Sequence, residues 1–168
     1  MIGKASSISH TKASIEYGWN QEKDAEIVFK QNLAGETPGE ITEEFNIIQS
    51  MNHKCTRNTF SFILSPTVKD GKKLDVHGLN KIANEFIKDL KLENHQAIAF
   101  VHNDKEHKHI HLYVNRIDFN GTAFNDGWSL LSKTQMKFED FKEITHIWFS
   151  HEHPDHFYPP NIKLFGLN

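Results

Sequence analysis

The stretch Ala97–Asn115, AIAFVHNDKEHKHIHLYVN, decides how the chain is read. Its opening run, Ala97-Ile98-Ala99-Phe100-Val101, is small and apolar and closes on His102. Its last part, His109 to Asn115, alternates with the period of a strand. Successive strand side chains point to opposite faces, so His109 and His111 share one face while Ile110, Leu112 and Val114 take the other. The polar loop Asn103-Asp104-Lys105-Glu106-His107-Lys108 joins the two runs, and an antiparallel hairpin would set His102 opposite the His109/His111 pair. Three neutral imidazoles with an open position suit a catalytic divalent ion, because a closed structural site would take a fourth protein ligand. Asp104 is the expected acceptor for a ring N–H. The chain holds 12 histidines, and His10, His53, His77, His95 and His107 read as ordinary polar surface residues.

Working outward, Gly35-Glu36-Thr37-Pro38-Gly39-Glu40 opens a helix: Thr37 caps it, Pro38 suits the first helical position and Glu40 completes a capping box. Ile41, Phe45 and Ile48 then share one helical face. Phe60 to Leu64 reads as a strand, with Pro66 and Lys69-Asp70-Gly71-Lys72-Lys73 as its exit. Leu79, Ile82, Ala83, Phe86, Ile87 and Leu90 follow the spacing of a second amphipathic helix, a core stripe rather than a cofactor site. Strands alternating with two helices around a central hairpin predict an α+β fold, an antiparallel β-sheet with helices packed on one face.

The pattern H-x-D-x-x-x-x-H-x-H-x-x-V-N, filled by His102, Asp104, His109, His111, Val114 and Asn115, resembles the metal motif of the relaxases, the mobilisation nucleases of plasmids and integrative elements. The opening of the chain agrees: Met1-Ile2-Gly3-Lys4, Ser-rich sequence and then Ile15-Glu16-Tyr17 resemble that family's first strand, loop and nucleophile-bearing helix. The resemblance, which covers residues 1–120, implies metal-dependent, strand-specific nicking of single-stranded DNA at an origin of transfer, as in conjugation. It implies Mg or Mn held by His102, His109 and His111, attack by Tyr17, a 5′-phosphotyrosine linkage with a free 3′-OH, and accessory mobilisation proteins as further partners. The ion would bind the scissile phosphate and neutralise charge developing in the transition state. Tyr113 competes for the role of nucleophile; it shares the strand face of the ligands, and its rigid position favours a ring packed against the sheet.

A second cluster lies further on. Thr145-His146-Ile147-Trp148-Phe149-Ser150 feeds His151-Glu152-His153-Pro154-Asp155-His156, and His151, His153, Asp155 and His156 form the H-x-H-x-D-H pattern that resembles the metallo-β-lactamase fold. The expected division is therefore a relaxase-like domain over 1–120 and a segment over 121–168 that resembles an incomplete metallo-β-lactamase-fold fragment, a chimeric sequence. Only a dozen residues follow His156, too few for the remaining ligands of such a hydrolase, so its cluster is at most a weak ion site.

Composition sets outer limits. A chain of 168 residues buries one modest core. No apolar run reaches membrane-spanning length and no signal-peptide core opens the sequence, which with the single cysteine, Cys55, predicts a reducing cytoplasm. Net charge is −3, against the basic balance expected of a DNA binder. Lys69, Lys72, Lys73, Lys105, Lys108 and Arg116 are the candidates for a local basic stripe that net charge conceals. A relaxase-like domain that binds DNA or protein without cleaving is the alternative function, and a metallo-hydrolase the third.

Overall fold

A computed structural model describes residues 2–66, 73–103 and 108–124. Five strands, β1 (Ile2–Ile8), β2 (Ala25–Gln31), β3 (Thr59–Ser65), β4 (Ala97–His102) and β5 (His109–Asn115), form one sheet in the order β1-β3-β5-β4-β2. Every neighbouring pair is antiparallel. The hairpin that opened the reading therefore occupies the middle of the sheet. Its strands are buried on both faces, which explains why β4 is apolar from Ala97 to Val101 instead of alternating.

Among the described residues three α-helices cover the sheet: α1 (Thr11–Gly18), α2 (Pro38–Gln49) and α3 (Val76–Asp89). The capping box expected at Thr37 and Glu40 is present, with Pro38 in the first turn of α2. Asp75 caps α3 by accepting from the Gly78 N–H at 2.8 Å. Leu79, Ala83 and Ile87 of α3 pack with Phe60, Phe62, Leu64, Ala99, Val101, Ile110, Leu112 and Val114 in one core. A second core joins Ile15 of α1 and Ile41 and Phe45 of α2 to Ile98, Phe100 and Tyr113. The α+β antiparallel architecture is as expected, but the helices lie on both faces and not on one. Alternate residues of β4 are apolar in both directions, Ala97, Ala99 and Val101 on one side and Ile98 and Phe100 on the other, so each face needs its own cover.

That division places the histidines. His109, His111 and Tyr113 alternate with Ile110, Leu112 and Val114, so they face α1 and α2, and His102 pairs directly with His109 across the hairpin. α1 is pinned to this face at its start by a buried polar knot. Thr11 Oγ1 lies 2.7 Å from Thr59 Oγ1, and the Gln49 amide donates to Thr59 Oγ1 at 3.0 Å.

At the other end of β5, Asn115 is fully buried. Its amide donates to the Phe45 carbonyl at 3.2 Å and to Gln96 Oε1 at 2.9 Å, and its Oδ1 accepts from the Ile117 N–H at 3.1 Å. Asn115→Ala strands the Ile117 N–H and Gln96 Oε1 in the interior, with an expected loss of about 2–4 kcal/mol. A lowered urea midpoint at unchanged m checks this. His95 departs from its expected place on the surface: it is 5 % exposed and its Nδ1–H donates to the Asn115 carbonyl at 2.8 Å. Burial holds its pKa below the ordinary histidine value. The hydrogen bonding of β5's last residue thus draws this ring inward, whereas His10, His53 and His77 are exposed as expected.

Beyond β5 the chain turns back. Gly121, at a φ of 75° that favours glycine, closes a turn in which its N–H donates to the Asp118 carbonyl at 2.9 Å. The Phe124 N–H then donates to the Arg116 carbonyl at 2.8 Å, and the Phe124 ring meets Phe60 edge-on. Residues 121–124 therefore fold onto the sheet that residues 2–118 build. Among the described residues no helix is long and apolar enough to cross a membrane.

Candidate active site

α1 carries Tyr17 in its last turn, and the way the helix is seated decides where that ring goes. Ile15 is fully buried in the second core, and Gly18 lies flat against β4 and β5. A Cβ at Gly18 would sit 2.4 Å from Phe100 Cδ2 and 2.9 Å from Tyr113 Cε2, so only a glycine permits this approach. The Gly18 carbonyl accepts from His102 Nε2 at 3.1 Å. A carbonyl cannot donate, so Nε2 carries the hydrogen and the lone pair of a neutral His102 is on Nδ1.

Tyr17 consequently stands over the imidazoles. Its ring centroid is 5.4 Å from that of His102 and 5.5 Å from that of His111, and the two imidazole centroids are 4.4 Å apart. His102 and His111 are 4 % and 6 % exposed, whereas Tyr17 is 46 % exposed. The phenol is the member of this group that an incoming polymer can reach. Tyr113 is unsuited to that part: it is 3 % exposed, lies in the second core, and burial pushes its phenol well above the ordinary tyrosine pKa.

The donor chemistry suits a divalent ion. Three imidazoles share one face, and the buried His109 Nδ1 has no hydrogen-bond partner, an orphan that a ligated ion would satisfy. Their spacing here is that of packed rings. Among the described residues no three His, Cys, Asp or Glu side chains stand close enough together to hold a metal.

A family model, MobA/VirD2-like relaxase, nuclease domain, matches residues 17–148. The chain belongs to the relaxase family. Neither the curated proteins nor the solved structures give a match. The relaxase match begins at the tyrosine that α1 holds over the histidines and continues across Gly121, and no comparison supports the metallo-β-lactamase-like reading of 121–168.

The remaining expected site residues divide by position. Asp104, Lys69, Lys72 and Lys105 lie outside the described residues, as do His151, His153, Asp155 and His156. Lys108 is at the histidine end of β5, where its ammonium donates to the Leu74 carbonyl at 2.7 Å and so neighbours Lys73. Arg116 is not brought to this group. It follows the far end of the seven-residue β5, about 20 Å away at the rise of a strand, and donates to the Arg57 and Phe124 carbonyls at 2.8 and 3.0 Å.

Two residues of the site had escaped the sequence reading, Gly18 and Lys23. A glycine at the end of a short helix is commonly a cap; here it serves close approach, which depends on the distant Phe100 and Tyr113. Gly18→Ala should lift the end of α1, break the contact with His102 and displace Tyr17. A displacement near 1 Å is expected to lower the rate of Tyr17 chemistry about a hundredfold. Recovery in Gly18→Ala/Phe100→Leu, measured beside helicity and melting temperature, separates this effect from unfolding.

Proposed function

We propose that this relaxase nicks single-stranded DNA in a strand-specific, metal-dependent transesterification through a 5′-phosphotyrosine at Tyr17, as in plasmid mobilisation. The observation that carries the reading is the exposed Tyr17 phenol held against the buried His102 and His111 rings. Relaxase nuclease domains are generally metal-dependent, and His102, His109 and His111 are the residues that would hold the ion. When bound, Mg or Mn would supply positive charge for the scissile phosphate.

The chain's own groups supply the rest. α1 would present the Tyr17 phenol oxygen to the phosphorus from the exposed side of this ring group. Attack exchanges one phosphoester for another, so the bond energy is retained and the strand can be rejoined, which hydrolysis would not allow. The DNA, single-stranded at an origin of transfer, would enter at the histidine end of the sheet near Lys73 and Lys108. It would avoid the open cleft at the start of α2 lined by Glu36, Glu40, Glu43 and Glu44, whose charge repels phosphate. Accessory mobilisation proteins fit the same reading as further partners.

The test is incubation of the protein with single-stranded oligonucleotides from candidate origins in Mg or Mn. A denaturation-resistant adduct at Tyr17 with a free 3′-OH on the released strand is the expected result; neither binding nor cleavage across a broad set of origins would sink the reading. A relaxase domain that binds DNA or protein without cutting is the second reading, favoured by the absence among the described residues of imidazoles at ligating spacing. Binding without an adduct would select it.

A further inference from the structure

A cation lies on the nucleophile. Lys23 Nζ is 3.8 Å from the centroid of the Tyr17 ring. Among the described residues its ammonium forms no ion pair with a carboxylate; the ion pairs there are Lys12–Glu16, Lys30–Glu36 and Lys81–Glu85. Lysine on a surface turn is ordinarily free to sweep through solvent. Lys23 is half-buried, and the backbone that carries it is built in place.

The turn Gln21–Lys23 directly follows α1. Asn20 caps it by accepting from the Glu22 N–H at 2.9 Å, and the Lys23 and Asp24 N–H groups donate to the Asn20 and Gln21 carbonyls, each at 3.1 Å. Two further bonds tie it to the strand that carries His102. The Asn103 N–H donates to the Lys23 carbonyl at 3.2 Å, and the Asn103 side-chain amide donates to the Asp24 carbonyl at 3.2 Å. Ala25 then pairs with His102. Lys23 and His102 are thus parts of one hydrogen-bonded frame, and the Tyr17 ring contacts both.

We propose that Lys23 is a positioning residue for the nucleophile, its ammonium fixing the Tyr17 ring over the histidines and balancing the negative charge that the phenol oxygen acquires during strand exchange. The proposal rests on the nicking reading of Tyr17. In cleavage the Tyr17 Oη–P bond forms as the P–O3′ bond breaks; the phenol proton passes to water and the 3′ oxygen takes up a proton to become 3′-OH. In rejoining, the 3′ oxygen attacks, loses its proton to water, and Tyr17 departs as phenolate, which regains one. Oη carries charge in both directions. A cation on the ring face is attracted to the neutral ring and more strongly to the phenolate.

Two readouts on the full chain test this. Rates of adduct formation and of rejoining are measured for wild type, Lys23→Met and Lys23→Arg. The seating of the Tyr17 ring, read by NMR from nuclear Overhauser contacts between its protons and the His102 and His111 rings, needs no DNA. Lys23→Met should slow both rates about three- to tenfold and weaken those contacts, with little change in affinity for single-stranded DNA or in melting temperature, and Lys23→Arg should restore them. A wild-type adduct whose rate, together with the ring contacts, is indifferent to Lys23→Met overturns the pairing alone. Lys23-dependent ring contacts in a protein that forms no adduct support the pairing and overturn the nicking reading. Indifferent contacts in a protein without an adduct overturn both.

Discussion

Tyr17→Phe is expected to abolish the covalent protein–DNA adduct, with a fall in cleavage rate of about 10⁴-fold or more, the scale seen when a covalent nucleophile is removed. The substitution deletes one oxygen from a ring that is 46 % exposed, so the packing against His102 and His111 survives and affinity for single-stranded DNA should stay within about threefold. No other tyrosine in the described core can take over. Tyr113 faces the same side but is buried under α1, and its phenol resists ionisation because burial penalises the charged form. Tyr113→Phe should therefore leave adduct formation near the wild-type rate, at a modest cost in stability. Quantifying adducts on denaturing gels over a time course checks both variants. An undiminished adduct in Tyr17→Phe would remove Tyr17 from the mechanism.

How much of this was legible in the chain differs between its parts. The hairpin was, because strand period and loop composition are local properties: β4, β5 and the His102–His109 pairing follow from residues 97–115 alone. The capped start of α2 and the apolar stripe of α3 are equally local. The distribution of helices over both faces was not. It depends on which strands neighbour the hairpin, and β3 and β2 flank it although they lie far away in sequence. The same holds within the site. Tyr17 could be singled out by its resemblance to a nucleophile, whereas the seat at Gly18 and the cation at Lys23 emerge only when α1 is laid on Phe100 and Asn103 meets the turn. His95 shows the converse error. An imidazole looks polar in sequence, but its Nδ1–H finds the Asn115 carbonyl and the ring is drawn inside.

Removing the metal should be nearly as damaging as removing the nucleophile, and it tests a part of the site that packing alone leaves ambiguous. His111 touches Tyr17 and His102, so His111→Ala would disturb the nucleophile even if no ion were ever bound. His109 is the cleaner probe: its buried Nδ1 has no hydrogen-bond partner, and Tyr17's ring contacts are with the other two histidines. Electrostatic stabilisation by a catalytic ion amounts to several kcal/mol, so chelation by EDTA should lower adduct formation about 10³-fold, reversed by added Mn. His109→Ala should weaken Mn binding, followed by electron paramagnetic resonance without DNA, about tenfold to a hundredfold and lower the rate in proportion. If His109 were only a packing residue, its truncation would lower the melting temperature and leave Mn affinity unchanged. His153→Ala supplies the contrast. Loss of Mn affinity there with none in His109→Ala would move the ion from the hairpin to the second histidine cluster and leave Tyr17 without its electrostatic partner.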